Sequence, residues 1–199
     1  MAGDLPGHWE EYISGLLRPD IDIVERLRRF VLDGAYSKTN FRLYPPNKRF
    51  IWQGIYLPSI HGEHLEIAVG IDTSGSISDL ELEYFHGALM SICEGFESHR
   101  IHYFQCDAAL QMEKVLENGD EFPTQMKGRG GTSYKPVLEK VNELLDLGET
   151  VACLVFLTDG HPNDGWGQPP DIPTIWVVST DQKPPWGEYV RMKLPERRR

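Results

Sequence analysis

Residues 65–81 read LEIAVGIDTSGSISDLE, and this stretch decides the fold. From Leu65 to Asp72 the chain is apolar except for Glu66 and the closing aspartate, the pattern of a strand covered on both faces. A run of small polar residues follows, Thr73-Ser74-Gly75-Ser76. Ser78-Asp79-Leu80-Glu81 is then a capping box, with Ser78 at the N-cap and Glu81 three residues on. Leu82, Phe85, Leu89, Ile92 and Phe96 recur every three or four positions, which predicts an amphipathic helix ending near Gly95. A buried strand that passes through a polar loop into such a helix is the first half of a β-α-β unit.

The unit repeats downstream. RIHYFQCD (100–107) is a second strand closing on an aspartate, and ALQMEKVLE (109–117) reads as an edge or hairpin strand. A polar, Gly-rich loop runs from Asn118 to Gly131. Ser133 is expected to cap a second helix, with Pro136 near its first turn and Val137, Leu138, Val141, Leu144 and Leu145 on one face. VACLVFLTD (151–159) and TIWVVST (174–180) are further buried strands, and EYVRMKL (188–194) adds a short one. Such alternation implies parallel strands with right-handed crossovers, hence an α/β fold: a doubly wound, mostly parallel sheet flanked by helices. Residues 65–199 form this main domain. Residues 1–64 read as a small helical and hairpin appendage that packs on it, with helical spacing over IDIVERLRRFVL (21–32) and a strand or hairpin over RFIWQGIYL (49–57).

Charge narrows the partners. The formal net charge is -10, and residues 1–65 balance at eight basic and eight acidic side chains. The remaining residues hold the other 12 Lys/Arg against 22 Asp/Glu, so the main domain carries the whole excess. A surface this acidic opposes a phosphate backbone and excludes nucleic acid as the expected partner. It suits divalent cations or basic partners instead. No apolar run approaches membrane-spanning length, and the opening MAGDLPGHWEEY does not read as a secretory signal. Three widely spaced cysteines, Cys93, Cys106 and Cys153, fit reduced thiols in a cytoplasmic protein.

Doubly wound sheets place their sites at the carboxyl ends of strands. Three such ends are polar: Asp72-Thr73-Ser74-Gly75-Ser76, Asp107, and Thr158-Asp159-Gly160. An aspartic-protease turn is excluded, because it needs glycine where Ser74 stands, within an all-β architecture. A metal fits better. Asp72, Ser74 and Ser76 alternate along one loop, and Gly75 permits the turn that lets their oxygens converge. Mg²⁺ requires an octahedron of hard oxygens, some of them water. Further oxygens are available from Thr132, after the Gly-rich loop, and from Asp159. Asp107 either meets a metal-bound water or the first loop, or is structural. His99, His102 and Cys106 hint at zinc, but His102 and Cys106 share one strand face while His99 precedes the strand, which argues against a soft site there.

In this order, Asp72, Ser74, Ser76, Thr132 and Asp159 resemble the metal-ion-dependent adhesion site of von Willebrand factor A (vWA) domains. The stretches VGIDTSGSIS, GRGGTS, FLTDG and PTIWVVST, with LPGHW, IDIVERLRRFV and PNKRFIWQGIYLPS before them, are similar to the C-terminal part of a family of bacterial predicted metallopeptidases. That resemblance implies Mg²⁺ or Mn²⁺ at the five positions and an acidic side chain of a partner protein as the last ligand. It also implies an AAA+ ATPase of the MoxR type as a partner. Many relatives have Asp where this chain has Ser133, which lowers the local charge by one and leaves Ser133 and Asp107 as candidates for outer contacts. The His-Glu-x-x-His helix of the upstream peptidase domain is absent, since His61-Gly62-Glu63-His64 has the wrong spacing. No catalytic residue is therefore assigned. The expectation is a divalent-metal-dependent binding module, with a component of a hydrolase whose catalytic domain lies outside this chain as the alternative.

Overall fold

A computed structural model describes residues 23–37, 41–42, 59–60, 64–74, 77–123, 125, 128 and 130–192. The elements in chain order are α1 (Ile23–Ser37), β1 (Phe41–Arg42), β2 (Ser59–Ile60), β3 (His64–Asp72), α2 (Asp79–Cys93), β4 (Ser98–Cys106) and β5 (Leu110–Glu117). After these come α3 (Lys135–Asp146), β6 (Leu154–Thr158), β7 (Thr174–Val178) and β8 (Glu188–Arg191). β1 and β2 form a two-stranded antiparallel pair. The other six strands form one sheet in the order β5-β4-β3-β6-β7-β8. All neighbours are parallel except β4 and β5, so β5 is the antiparallel edge expected for it. The stretch 49–57 lies outside the described residues.

β3 is the pivot of the topology. From it the chain crosses through α2 to β4 on one side, and later returns through α3 to β6 on the other. The carboxyl ends of β3 and β6 therefore flank the switch point where doubly wound sheets open a crevice.

The two faces of β3 feed two cores. Leu65, Ile67, Val69 and Ile71 pack with α1 and α2, through Leu27, Val31, Leu82, Phe85 and Leu89. Ala68 faces α3 together with Phe104, Phe156 and Trp176. Gly70 is on this second face, where a Cβ would stand 2.6 Å from a ring carbon of Phe156. Glycine within the strand is what lets that aromatic lie flat on the sheet. Helix α1 buries Ile23, Leu27, Phe30 and Val31. At about 1.5–3 kcal/mol for each such side chain, this apolar stripe outweighs its exposed Arg26–Glu188 ion pair at 3.9 Å.

Ser78 caps α2 with the full reciprocal box, its Oγ accepting from the Glu81 N–H while Glu81 Oε2 accepts from the Ser78 N–H at 2.8 Å. The α3 cap differs from the expected one. Tyr134, not Ser133, is the N-cap, and it makes no side-chain capping bond. The Ser133 hydroxyl donates to Asp164 Oδ2 at 3.1 Å instead, which takes it away from the helix end. Cys93, Cys106 and Cys153 are all buried free thiols. Among the described residues no helix is long and apolar enough to cross a membrane.

One half-buried group ties stability to pH. His86 on α2 stacks on Phe122 with ring centroids 4.4 Å apart, and its Nε2 lies 3.1 Å from Tyr103 Oη. Gln105 Nε2 donates to that same oxygen at 3.3 Å, so the tyrosine proton is free to go to a neutral imidazole. Burial pushes His86 down to about 4. In the unfolded chain it titrates near 6.5, so between pH 6.5 and pH 4 the unfolded state binds the extra proton. Stability is accordingly full above this window and falls as pH drops through it. Lowering the pH from 7 to 5 is expected to cost about 1–2 kcal/mol through this residue. Urea unfolding at the two pH values checks it: His86→Phe should lose that share of the pH dependence, and an unchanged difference refutes the assignment.

Candidate metal centre

Asp72 is the last residue of β3 and is fully buried. Its Oδ1 accepts the Ser74 N–H at 2.9 Å, and the Ser74 hydroxyl also bonds the carboxylate. This closes an Asx turn that carries the chain out of the sheet. Thr73 turns the opposite way, giving both its N–H and its hydroxyl to the carbonyl of Cys106 on β4, at 2.8 and 3.1 Å. In the described part of the loop, Asp72 and Ser74 are bonded to each other and Thr73 is bonded away from them. Gly75 and Ser76 lie outside the described residues.

The neighbouring strand supplies the second element. Thr158 closes β6, one residue beyond the Ile71–Leu157 register pair, and so stands beside Asp72. Its hydroxyl donates to Asp72 Oδ2 at 3.0 Å, accepts from the Gly160 N–H at 2.9 Å and meets the Tyr134 hydroxyl at 2.5 Å. Asp159 follows, nearly buried. Its Oδ1 accepts the His161 N–H at 2.9 Å, its carbonyl accepts the Thr180 hydroxyl, and Oδ2 lies 3.7 Å from His161 Nδ1.

Thr132 is the third, nearly buried on the loop before α3. Its carbonyl accepts the Asn163 N–H at 2.8 Å, which ties this loop to the one after β6. Next to it, Ser133 Oγ reaches Asp164, and Lys135 Nζ pairs with the same Asp164 oxygen at 2.9 Å. An acidic group therefore does stand beside Ser133, though a lysine neutralises it. Asp107 is buried at the end of β4 and bonds the Thr132 loop.

Electrostatics single out Asp72. Burial raises its carboxyl above the usual range, and the charge of Asp159 adds to that, against hydrogen bonds from Ser74 and Thr158. None of the interactions that shift it comes from a basic group. Two carboxylates in mutual repulsion, the nearer one cut off from water, make a place that a cation would relieve. The hydroxyl oxygens bonded to Asp72 are those of Ser74 and Thr158, and hard oxygen donors of this kind are what Mg²⁺ or Mn²⁺ takes. Among the described residues no three His, Cys, Asp or Glu side chains gather as metal ligands. The zinc alternative finds no support: His102 Nε2 lies 2.8 Å from Glu66 Oε1, and burial together with Asp72 and Asp107 pushes the Cys106 thiol up.

Two contributors escape a reading of the sequence alone. Thr158, placed only as part of a polar strand end, is the direct partner of Asp72, and Tyr134 extends that contact into the core. A hydroxyl on the last residue of the strand adjoining Asp72 was the available signal.

Comparison with known proteins identifies the type of domain. A family model described as VWA-like domain (DUF2201) matches residues 67–193. An uncharacterized protein of Thermotoga maritima is 30% identical over 157 residues, covering 76% of this chain and 36% of its own length. The chain thus spans about a third of that relative. Among solved structures, the ArnB paralog VWA2 from Sulfolobus acidocaldarius is similar at 16% identity and a TM-score of 0.42, over 57% of this chain and 34% of that one.

Proposed function

The chain belongs to the family of VWA-like domains, and from that premise we propose that it is a protein-binding module whose grip depends on a divalent cation. The carrying observation is the pair of strand ends at the switch point, where buried Asp72 and Thr158 are hydrogen-bonded and Asp159 raises the charge beside them. Mg²⁺ or Mn²⁺ would be held by Asp72, Ser74, Ser76, Thr132 and Asp159. The ion, when bound, supplies a coordination position for an oxygen ligand from outside the chain. An acidic side chain of a partner protein fits that position by charge and hardness. The chain's own residues orient the donors: the Asx turn aims Ser74, Thr158 holds Asp72, and Asn163 holds the Thr132 loop. An AAA+ ATPase of the MoxR type is the partner that the sequence resemblance supports, and it is the first to test.

A second reading, the interaction part of a larger hydrolase, is favoured by the length of the Thermotoga relative, of which only 36% is matched. The two readings agree about the site and differ only in what is attached to it. Capture of a MoxR-type ATPase by the immobilised chain, in Mg²⁺ and again in EDTA, tests the proposal. Retention is expected in Mg²⁺ and a drop of at least about 10-fold in EDTA, the scale of one charged ligand lost from a hydrogen-bonded site. Equal retention in both buffers would count against cation-dependent binding.

A further inference from the structure

We propose that Asp107 is a positioning residue whose carboxylate holds the loop before α3 against the sheet edge and so presents Thr132 to the cation; this rests on the cation reading above. Asp107 follows Cys106, the last residue of β4 and the register partner of Asp72 at the end of β3. Its main chain is fixed first: the N–H donates to the Ala109 carbonyl at 3.0 Å, and the carbonyl accepts the Ser133 N–H at 2.7 Å. Its side chain then faces donors on two segments. Oδ1 accepts from the Ala109 N–H at 3.0 Å and from Gln111 Nε2 at 2.8 Å, while Oδ2 accepts the Gly130 N–H at 3.2 Å. These N–H groups engage both carboxylate oxygens, Oδ1 from the segment leading into β5 and Oδ2 from the loop before α3.

The glycines show how closely that loop lies on the carboxylate. A Cβ at Gly128 would stand 2.5 Å from Asp107 Oδ2, and Gly128 has φ +98°, a left-handed conformation natural to glycine. A Cβ at Gly130 would stand 3.1 Å from the same oxygen. From the opposite side, Asn163 crowds Gly131 and donates its N–H to the Thr132 carbonyl. Thr132 therefore sits in a segment fixed before it at Gly130, after it at Ser133, and through its own carbonyl. Two of these three ties end on Asp107. The Gly-rich composition of the loop follows from this: the main chain must touch a carboxylate on one flank and an asparagine on the other.

Asp107→Asn is the discriminating variant. It keeps the side-chain shape and the main-chain bonds, but one oxygen becomes an amide donor, and whichever oxygen is lost, an N–H donor then faces another donor. Amide hydrogen exchange of cation-free protein, together with Mn²⁺ titration of wild type, Asp107→Asn, Thr132→Ala and the double variant, forms the test. Exchange in residues 128–134 is expected to rise about 10-fold in Asp107→Asn while that of α2 stays unchanged. Mn²⁺ affinity is expected to fall about 10-fold, as for loss of an outer contact at a metal site. The double variant is expected to bind no more weakly than Thr132→Ala, because Asp107 acts through Thr132. Unchanged exchange in 128–134 overturns the anchoring role whether or not Mn²⁺ binds. A loosened loop with wild-type affinity, or additive losses in the double variant, overturns the link to Thr132. Wild-type protein that binds no Mn²⁺ overturns the cation reading and Asp107's part in it, and is thereby distinguished from a loss seen only in the variant. If Asp107→Asn does not fold, Gly128→Ala presses on the same carboxylate from the loop side and must raise the same exchange.

Discussion

Asp72→Asn is expected to weaken Mn²⁺ binding by more than about 100-fold, beyond the 10–100-fold typical of outer contacts, while leaving the cation-free protein at least as stable as wild type. The second half of this expectation follows from the burial of the wild-type carboxyl. Asp72 has no exposed surface, burial disfavours its charged form, and Asp159 repels it, so without a cation its ionisation at neutral pH opposes folding. Asparagine keeps an oxygen for the Ser74 N–H. Its amide can donate to Thr158 Oγ1, which then turns its proton toward the Tyr134 hydroxyl. A gain of about 1 kcal/mol would raise the melting midpoint by about 2–4 °C in a chain of this size. With the ion at about 100 times the wild-type dissociation constant, wild type gains about 2.7 kcal/mol and the variant at most about 0.4 kcal/mol, so the order of stabilities reverses. Calorimetry with and without Mn²⁺ reads both halves. A variant that melts several degrees below wild type in both buffers would show that Asp72 is kept as a hydrogen-bond hub and not for a cation.

The parts of this layout that were legible in the sequence are those set by local rules. The buried run Leu65–Asp72, the Ser78–Glu81 box and the apolar spacing of α2 each depend on neighbours a few residues away, and each stands where expected. The strand–helix alternation likewise led to the parallel sheet and to the edge strand β5. Ser133 shows where such rules stop. Its type and position suit an N-cap, but Asp164, 31 residues on, takes its hydroxyl, and the N-cap is Tyr134, one residue later. The contacts that organise the candidate site are more distant still: Thr158 reaches Asp72 across 86 residues, and Gly130 reaches Asp107 across 23. Periodicity carries no record of such pairings, because they depend on strand register and not on spacing along one element.

Thr158→Val is therefore the most telling change outside the proposed ligand set, with an expected destabilisation of about 3 kcal/mol. Valine matches threonine in shape and suits a strand, so no cavity is made. What disappears is one hydroxyl that serves Asp72, Gly160 and Tyr134 at once. All three partners are buried, and a buried polar group left without its partner costs about 1–3 kcal/mol, with some relaxation shared among them. The Tyr134 ring cannot follow a new partner easily, since it packs on Phe156, Trp166 and Trp176 with centroids 5.1–5.4 Å away. Thr158→Ser keeps the hydroxyl and is expected to stay within about 1 kcal/mol of wild type in urea unfolding, and Tyr134→Phe is expected to lose about 1 kcal/mol. Valine and serine variants of equal stability would refute the hydroxyl's role. Mn²⁺ affinity adds a second comparison. Tyr134 lies two residues past Thr132, and its hydroxyl reaches Asp72 through Thr158. If that chain couples the two loops, valine weakens the ion about 10-fold and serine leaves it unchanged. Equal affinities for valine and serine would mean that Asp72 and Thr132 are positioned independently, each by its own strand end.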